Sequence, residues 1–248
     1  MASRASKDET REIRLDAYLA RAGLASRKEA RALIRRGRVA VSGAVCRDAA
    51  RRVGEAPVAL DGALVDSPLA IRDFLVHKPA GLACSRDERE APLVYELLDE
   101  PTRRRDLLIA GRLDRATSGL LVLTTDGDLV HRLTHPARKL PKRYRVRYTG
   151  ALASDAVARC RAGLELAGES GPLRPAELRL EGEGRAMLTL REGRTHQVRR
   201  MIRALGGEVV GLHRDRVGAL DLPPDLAPGD WRPLARDERA LLLSESSL

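Results

Sequence analysis

Aromatic residues, cysteines and long apolar runs are all scarce in this chain of 248 residues. One Trp, four Tyr and one Phe are too few for an RNA-binding sheet that stacks several bases on aromatic rings. Cys46, Cys84 and Cys160 are scattered and odd in number, which argues against a disulfide framework or a zinc site. No apolar run approaches the length of a membrane span, and the start "MASRASKDETREIRL" lacks a secretory signal. We therefore expect a cytoplasmic protein without a membrane partner.

Acidic residues are also outnumbered, with 35 Asp and Glu against 45 Lys and Arg and a net charge of +10. The excess is uneven, because residues 1–60 contain 14 basic and 7 acidic residues and so carry +7 of that charge. A general preference for Arg explains a uniform excess, but it does not explain this asymmetry. The pattern favours nucleic acid as the partner, bound mainly through charge and shape.

Two helices and a hairpin are predicted in the basic N-terminal quarter. Apolar residues recur at helical spacing over 15–22, and Ser26 with Glu29 forms a capping box before a second helix over 27–36. The stretch "RVAVSGAVC" then reads as two short strands around a Ser-Gly turn. Six basic residues surround these elements: Arg27, Lys28, Arg31, Arg35, Arg36 and Arg38.

This stretch, "RLDAYLARAGLASRKEARALIRRGRVAVSGAV", resembles an S4 RNA-binding domain over residues 13–60. The resemblance implies that the six basic residues bind RNA, whereas a solvated pair of charged helices is the plainer alternative. The predicted organisation is a disordered tail over 1–12, the S4-like domain over 13–60, a linker over 61–70 and a catalytic domain over 71–248.

One carboxylate, Asp114, lies in a polar loop within "AGRLDRATSGLLVLTTDGDL". The apolar runs 107–110 and 120–125 on either side predict buried strands. A short loop fixed at both ends suits a catalytic group, and the flanking Arg112 and Arg115 would keep the carboxylate ionised. On residue types alone, a surface ion pair is the more common explanation of such an Asp.

A second motif, "PKRYRVRY", has the alternation of a strand. Tyr144, Val146 and Tyr148 fall on one face, and Arg143, Arg145 and Arg147 fall on the other. Tyr144 is near the start of this strand, where its ring could reach a cleft.

A third motif, "LREGRTHQVRRMIRALGG", predicts a basic amphipathic helix that Gly206 ends. Arg194 stands at the end of a strand just before this helix, a position suited to pairing with an acid on a neighbouring loop. Arg199 and Arg200 lie off the apolar face of the helix. That face is formed by Val198, Met201, Ile202 and Leu205.

Several patterns for metal and cofactor binding are incomplete. His131 and His135 in "HRLTH" have the spacing of a zinc helix, but no Glu follows the first His. "GEGRAM" lacks the third glycine of a dinucleotide loop, and no Walker A sequence occurs. Ser118 lacks the G-x-S-x-G context of a nucleophile elbow. We therefore expect neither a metal nor a cofactor.

Taken together, "HKPAG", "GRLDRATSGLLVLTTDG", "KRY" and "EGRTHQVRRM" resemble, in this order, the pseudouridine synthases of the RsuA group. The resemblance spans about residues 13–235 and follows an S4-like start. Enzymes of this family convert uridine in ribosomal RNA to its C-glycoside isomer. The implied fold class is α+β, with an S4 domain joined to a core built on a long, mixed and largely antiparallel sheet with a central cleft.

The resemblance also implies roles for individual residues. Asp114 is the essential catalytic residue, Tyr144 packs against the target base, and Arg194 pairs with Asp114. Arg112 helps to hold open the space that the flipped nucleotide leaves. The family's Lys-Thr-Tyr is Lys142-Arg143-Tyr144 here, and the strand pattern puts Arg143 on the opposite face. The other residues expected to bind RNA in this part are Lys142, Arg199 and Arg200.

The tail "VVGLHRDRVGALDLPPDLAPGDWRPL" is most similar to the enzymes that act on 16S ribosomal RNA, the type that modifies uridine 516. Relatives that act on 23S RNA share the catalytic motifs and remain an alternative, as does a non-catalytic S4 protein that assists ribosome assembly. A hydrolase using Asp114 and Asp126 is a weaker third possibility. The expected partner is 16S RNA within a small-subunit assembly intermediate, the expected state a monomer, and no cofactor is needed because nothing is oxidised.

Overall fold

The computed structural model describes residues 12–69, 71–100, 102–103, 106–135, 138 and 140–244. These residues form two compact units, the first ending at Ile71 and the second beginning at Arg72. The tail predicted over 1–12 lies outside the described residues apart from Glu12.

The first unit is a small α/β module. Its elements are β1 (Ile13–Arg14), α1 (Leu15–Arg21), α2 (Arg27–Arg35), β2 (Val39–Val41), β3 (Ala44–Val45), β4 (Arg52–Val53), β5 (Val58–Leu60) and β6 (Ala63–Leu64). Four strands pair antiparallel in the order β3-β2-β5-β6, and β1 pairs with β4. The core contains Leu15, Leu19 and Ile34, which are fully buried.

Local sequence signals explain this unit. The Ser26 hydroxyl accepts from the Glu29 amide and the Glu29 carboxylate accepts from the Ser26 amide, so the predicted capping box starts α2. Ser42 and Gly43 both adopt positive φ, at 51° and 80°, and form the predicted tight turn between β2 and β3. The segment 61–70, expected as a linker, contributes β6 to the sheet of the first unit.

The second unit is built on one large sheet with helices. Its elements are β7 (Asp73–Lys78), β8 (Leu108–Ile109), β9 (Thr117–Thr124), α3 (Gly127–Thr134), β10 (Lys142–Thr149), α4 (Ala156–Ala162), β11 (Glu177–Leu180), β12 (Arg185–Leu190), α5 (Gln197–Ala204), β13 (Glu208–Val217), β14 (Leu220–Asp221), β15 (Trp231–Pro233) and α6 (Arg236–Leu243).

In the described part of the chain, nine strands form this sheet along the path β11-β12-β10-β13-β9-β7-β15. β14 pairs with β13, and β8 pairs with β9. β13 and β9 run parallel, whereas the other described pairs are antiparallel. The mixed, largely antiparallel sheet that the family resemblance implies is therefore confirmed, with its parallel pair at the centre.

The two faces of β10 differ as its alternation predicts. Val146 and Tyr148 are buried in an apolar cluster that also contains Met201 and Ile202 of α5, and Tyr144 packs against the same cluster. On the opposite face, Arg143 and Arg145 contact Asp215 of β13. The strand thus directs Tyr144 away from the charged face of the sheet.

Candidate active site

The Asp114 loop connects β8 to β9, as the two apolar runs predict. The amide of Thr117 donates to the carbonyl oxygen of Asp114 at 3.0 Å, which closes a turn before β9 begins. Because β9 lies between β7 and β13 in the sheet, the loop is continuous with buried strand backbone. Asp114 is therefore held on a short, braced connection.

A buried lysine is hydrogen-bonded to the backbone of this loop. Lys78, at the end of β7, is fully buried, and its ammonium group donates to the carbonyl oxygens of Asp114, Arg115, Thr117 and Pro79 at 2.7–3.3 Å. Burial lowers the pKa of Lys78, while the Cys84 thiol and the Asp114 carboxylate favour the charged form. Since three of the acceptors belong to one loop, a single side chain fixes the backbone that carries Asp114.

The other side of the loop is fixed by Arg214 of β13. Its side chain donates from Nε and Nη2 to the Leu120 carbonyl oxygen at 3.0 and 2.8 Å, and from Nη2 to that of Gly111 at 3.1 Å. The close parallel pairing of β9 with β13 requires Gly119, since a Cβ there would lie 2.1 Å from the Arg214 carbonyl oxygen. The positive φ of Gly119, 119°, is a second reason for glycine.

A cavity of about 600 Å³ opens beside this loop. The three residues that the sequence predicts as catalytic, Asp114, Tyr144 and Arg194, all line it. They come from the β8–β9 loop, from the start of β10 and from the connection between β12 and α5. The sheet therefore brings together three motifs that are up to 80 residues apart in sequence.

The Asp114 carboxylate is partly open to this cavity, with 38% of its side chain exposed. The imidazole of His196 lies beside it, with its Nε2 atom 3.6 Å from Asp114 Oδ1. His196 has a φ of 51° immediately before α5, a left-handed conformation that is uncommon for residues other than glycine. Sequence reasoning gave His196 no role, although its place beside Arg194 in "GRTHQ" was the available signal.

The ion pair expected between Arg194 and Asp114 is not formed among the described residues. Arg194 instead contacts the carboxylates of Glu169 and Glu192, and its Nε atom is 3.3 Å from Glu192 Oε2. The Arg194 amide donates to Gln197 Oε1 at 2.9 Å, which fixes the start of α5. The two Glu side chains satisfy the guanidinium, so it lines the cavity without contacting Asp114.

Lys142 and Tyr144 lie on the same face of β10, and both line the cavity. The Lys142 ammonium group is 3.4 Å from the Leu140 carbonyl oxygen. Burial, together with repulsion from Arg214, lowers the pKa of Lys142 to about 8. A residue predicted only as an RNA contact is thus part of the cavity wall.

The remaining arginines predicted to bind RNA in this unit have different environments. Arg112 is exposed at the edge of the cavity. Arg199 donates to the carbonyl oxygens of Val209 at 3.2 Å and Ala116 at 3.3 Å, which ties α5 to the Asp114 loop. Arg200 contacts Glu169 and donates to the Ala167 carbonyl oxygen at 2.8 Å. Arg112 is therefore the most accessible of the three.

In the first unit, all six basic residues predicted to bind RNA are exposed. Arg27 and Arg31 converge on Asp16, a fully buried carboxylate, at 3.5 and 2.8 Å. Hydrogen bonds from Arg14 and then from Arg31 hold the pKa of Asp16 well below its usual range. Arg38 contacts Asp61. Three of the six make no ion pair within the described residues: Lys28, Arg35 and Arg36.

Asp126 has a structural role at the far end of β9. Its carboxylate accepts from the Asp128 amide at 2.9 Å and so caps α3, as the sequence predicts. The same carboxylate contacts Arg239 of α6. A carboxylate engaged in this way is poorly placed to act with Asp114, which removes the support for a hydrolase that uses both.

No helix in the described ranges is long and apolar enough to cross a membrane. In the same part of the chain, no group of three or more His, Cys, Asp or Glu side chains is arranged to hold a metal ion.

Known proteins resemble this chain over most of its length. The family model for RNA pseudouridylate synthase matches residues 74–204, and that for the S4 domain matches residues 13–56. Ribosomal small subunit pseudouridine synthase A of Salmonella typhimurium is 40% identical over 229 residues, which cover 92% of this chain and 99% of the relative. The protein of that name from Vibrio parahaemolyticus is 41% identical over 229 residues, covering 91% and 97%.

A solved crystal structure of a pseudouridylate synthase aligns with a TM-score of 0.67 at 36% identity, covering 93% of this chain and 99% of the other. Fold, cavity and sequence thus agree over both units. The chain belongs to the RNA pseudouridylate synthase family, and it is an RNA pseudouridine synthase that carries an S4 domain.

Proposed function

We propose that this enzyme isomerises uridine 516 of 16S ribosomal RNA to pseudouridine and that Asp114 is its catalytic carboxylate. The observation that carries the assignment of Asp114 is its place on a loop held by Lys78, facing a cavity that Tyr144 also lines. The relatives named as small-subunit enzymes support the choice of RNA. The motif resemblance carries the assignment of the uridine. A cytoplasmic monomer acting on a small-subunit assembly intermediate belongs to the same proposal.

The chemistry breaks the N1–C1′ bond of uridine and joins C5 to C1′, with loss of the C5 proton. An ionised carboxylate can attack C1′, attack C6 or remove a proton from the 2′ carbon. Asp114 suits each of these roles because its carboxylate is partly exposed in the cavity and lies 3.6 Å from His196.

The substrate nucleotide must leave its stack to reach this carboxylate, which costs a few kcal/mol. Stacking of the base on Tyr144 returns about 1–3 kcal/mol. Exposed Arg112 at the cavity edge is placed to occupy the space that the nucleotide leaves. Phosphate contacts from the exposed cations of the first unit supply sequence-independent affinity.

Tritium release tests the catalytic assignment. Asp114→Asn and the wild-type enzyme would be incubated with 16S transcripts that contain 5-tritiated uridine. We expect the variant to lose release of tritium to water while its affinity for the transcript is retained. Turnover by the variant at the wild-type rate would contradict the role of Asp114.

Mapping of pseudouridines in cells that lack the gene tests the substrate. We expect loss of the modification at uridine 516 of 16S RNA and its return with the wild-type gene but not with Asp114→Asn. Loss from 23S RNA instead would overturn the choice of RNA. If Asp114→Asn restored ribosome assembly in a strain with an assembly defect, the non-catalytic S4 hypothesis would be favoured.

A further inference from the structure

Three polar side chains in the cavity wall have hydrogen-bonding capacity that the contacts described above do not use. The first is Thr117, which is 1% exposed and lines the cavity. Within the described chain, its Oγ1 atom has no hydrogen-bond partner. A buried hydroxyl without a hydrogen-bond partner costs about 1–3 kcal/mol. A ligand that supplies the missing hydrogen bond would therefore bind favourably here.

The second is Arg214, a guanidinium that is 2% exposed. Its Nε and Nη2 atoms donate to the Leu120 and Gly111 carbonyl oxygens, and no carboxylate among the described residues pairs with it. Its Nη1 atom makes no hydrogen bond within the same residues. A buried charge is normally paired, because desolvation is costly.

The third is Lys142, whose ammonium group makes one long hydrogen bond, to the Leu140 carbonyl oxygen, and no ion pair in the described chain. Repulsion by Arg214 contributes to its lowered pKa, so the two cations act on each other. Tyr144, two residues along β10, is the register partner of Arg214 on β13. The cations therefore adjoin the ring that would stack on the base.

The depth of these groups indicates which part of a nucleotide they bind. Exposed groups at the edge, such as Arg112 and the 60%-exposed His196, suit the phosphodiester backbone. Arg214 is too deeply buried for that role, but it lines the cavity beside its register partner Tyr144, where the base would lie. Uracil presents carbonyl oxygens at positions 2 and 4, and a hydroxyl, an ammonium and a guanidinium group are all donors that match such acceptors.

We propose that Thr117, Lys142 and Arg214 bind the carbonyl oxygens of the flipped uracil and that the two cations stabilise the negative charge which the ring gains during the reaction. When the N1–C1′ bond breaks, its electron pair stays on N1 and is delocalised onto O2 and O4. Meanwhile C1′ bonds to an Asp114 oxygen, or the 2′ carbon gives its proton to Asp114. If Asp114 adds to C6 first, the electron pair moves through C5 onto O4.

Each route thus places charge where the cations lie, and the ring charge is used when C5 bonds to C1′. The Asp114–C1′ or Asp114–C6 bond then breaks, or Asp114 returns its proton to the 2′ carbon, the C5 proton leaves and N1 gains a proton. Donors fixed at the site of developing charge lower the barrier without reorganisation. The same donors disfavour cytosine, which carries an amino group at position 4. This inference rests on the proposal that the Asp114 cavity is the catalytic site.

Single-turnover kinetics on a 16S transcript separate the chemical step of the isomerisation from RNA binding. We expect Lys142→Met to lower the rate constant about a hundredfold with the affinity for RNA unchanged, because the charge acts in the transition state. Thr117→Val keeps the volume of the side chain, and we expect it to lower the rate about tenfold. Arg147→Met is the matched control on the exposed face of β10, and we expect it to react at the wild-type rate.

The pH profile provides a readout that a purely structural role does not move. Lys142 has a pKa of about 8, so the wild-type rate should fall as the pH rises above 8 and the ammonium group loses its proton. Lys142→Arg keeps its charge, so its rate should stay level there. The charged and titratable groups that line the cavity with Lys142 and Tyr144 come from several elements: Arg214 from β13, Arg112 and Asp114 from the loop, His135 after α3, Arg174 before β11, and Arg191, Glu192, Arg194 and His196 from the connection before α5.

The outcomes distinguish this inference from the function proposed above. An inactive Asp114→Asn with a Lys142→Met variant of wild-type rate and pH profile would overturn the inference and leave the function standing. Weaker RNA binding by Lys142→Met at an unchanged rate would also overturn it, in favour of a phosphate contact. An active Asp114→Asn would remove the basis of both. The control is thermal unfolding. If Lys142→Met and Thr117→Val unfold at the wild-type temperature, their lower rates are not caused by a loss of folded protein.

Discussion

The two units use buried charge in opposite senses. In the first unit, the buried carboxylate of Asp16 holds exposed arginines, and in the second, the buried ammonium of Lys78 holds the loop of the partly exposed Asp114. In each unit the buried charge positions a charge of opposite sign that is accessible to RNA. Under the function proposed above, buried residues that make no contact with RNA determine the positions of the residues that do.

The partners of the two buried charges differ in kind. Asp16 is contacted by the side chains of Arg14, Arg27 and Arg31, each of which is about half exposed and can be satisfied by water. Lys78 donates to backbone carbonyl oxygens, which stay in place whatever the loop side chains are. We therefore expect replacement of Asp16 to cost only part of the stability of its unit, and replacement of Lys78 to cost much more.

Replacement of Lys78 is expected to have the largest effect. Lys78→Met removes the ammonium donor from four carbonyl oxygens, of which those of Asp114 and Arg115 keep a backbone donor, and it should lower the free energy of unfolding by about 3 kcal/mol. Displacement of Asp114 should lower turnover about a hundredfold. Urea unfolding and tritium release measure the two effects. Lys28→Met, a change at an exposed lysine, should unfold like the wild type; equal unfolding of both variants would contradict the role of Lys78.

Replacement of Asp16 should have a smaller effect, confined to the first unit. Asp16→Asn keeps the shape but removes the charge that Arg14, Arg27 and Arg31 share, and we expect a loss of about 1–2 kcal/mol because these arginines are half exposed. Hydrogen exchange should quicken in α1 and α2 but not in β9. Unchanged protection in both helices would show that the carboxylate does not organise this unit.

The stability that Asp16 contributes should depend on pH. Its folded pKa is lowered from the ordinary 3.8, so the contribution is complete above about pH 4 and is lost as the pH falls towards the lowered folded value. The difference in unfolding temperature between the wild type and Asp16→Asn should therefore shrink from pH 6 to pH 2.5. Other carboxylates titrate in both proteins and cancel in that difference. If the difference in unfolding temperature stayed constant with pH, ionisation of Asp16 would not be the source of its contribution to stability.

The smallest effect is expected where the arginines have no buried anchor. Arg35 and Arg36 are exposed and make no ion pair in the described chain, so the double change to Ala should leave folding intact. RNA affinity should fall about tenfold, and the salt slope of log K should decrease by about 1–2 units. Filter binding over a range of salt concentrations measures both. An unchanged slope would mean that these side chains do not contact phosphate.

The sequence was most informative where structure is local or periodic. The Asp114 loop followed from two apolar runs, the face of Tyr144 from strand alternation, and the start of α2 from a capping box. Each of these depends on residues close together in the chain. The mixed sheet and the S4 unit came from motif resemblance, and the structure has both.

Contacts between distant segments could not be predicted in this way. Arg194 contacts Glu169, which lies in a stretch without helical or strand periodicity, so no pattern indicated it. Lys78 before Pro79 has the appearance of a surface lysine, and only the placement of β7 beside β9 buries it. Arg214 became a cavity residue because β13 lies between β10 and β9, an order that the sequence does not show.

The parallel contact of β9 with β13 has a consequence for biosynthesis. Arg214 and Leu120 are 94 residues apart, and the antiparallel neighbours of β9 lie earlier in the chain. A nascent chain can therefore assemble β7, β8 and β9 before β13 has left the ribosome, but its Asp114 loop lacks the contact at Gly111. Such long-range closure is slow. We therefore expect catalytic competence to arrive with the last third of translation, and we expect a truncated product to bind RNA through its first unit without modifying it.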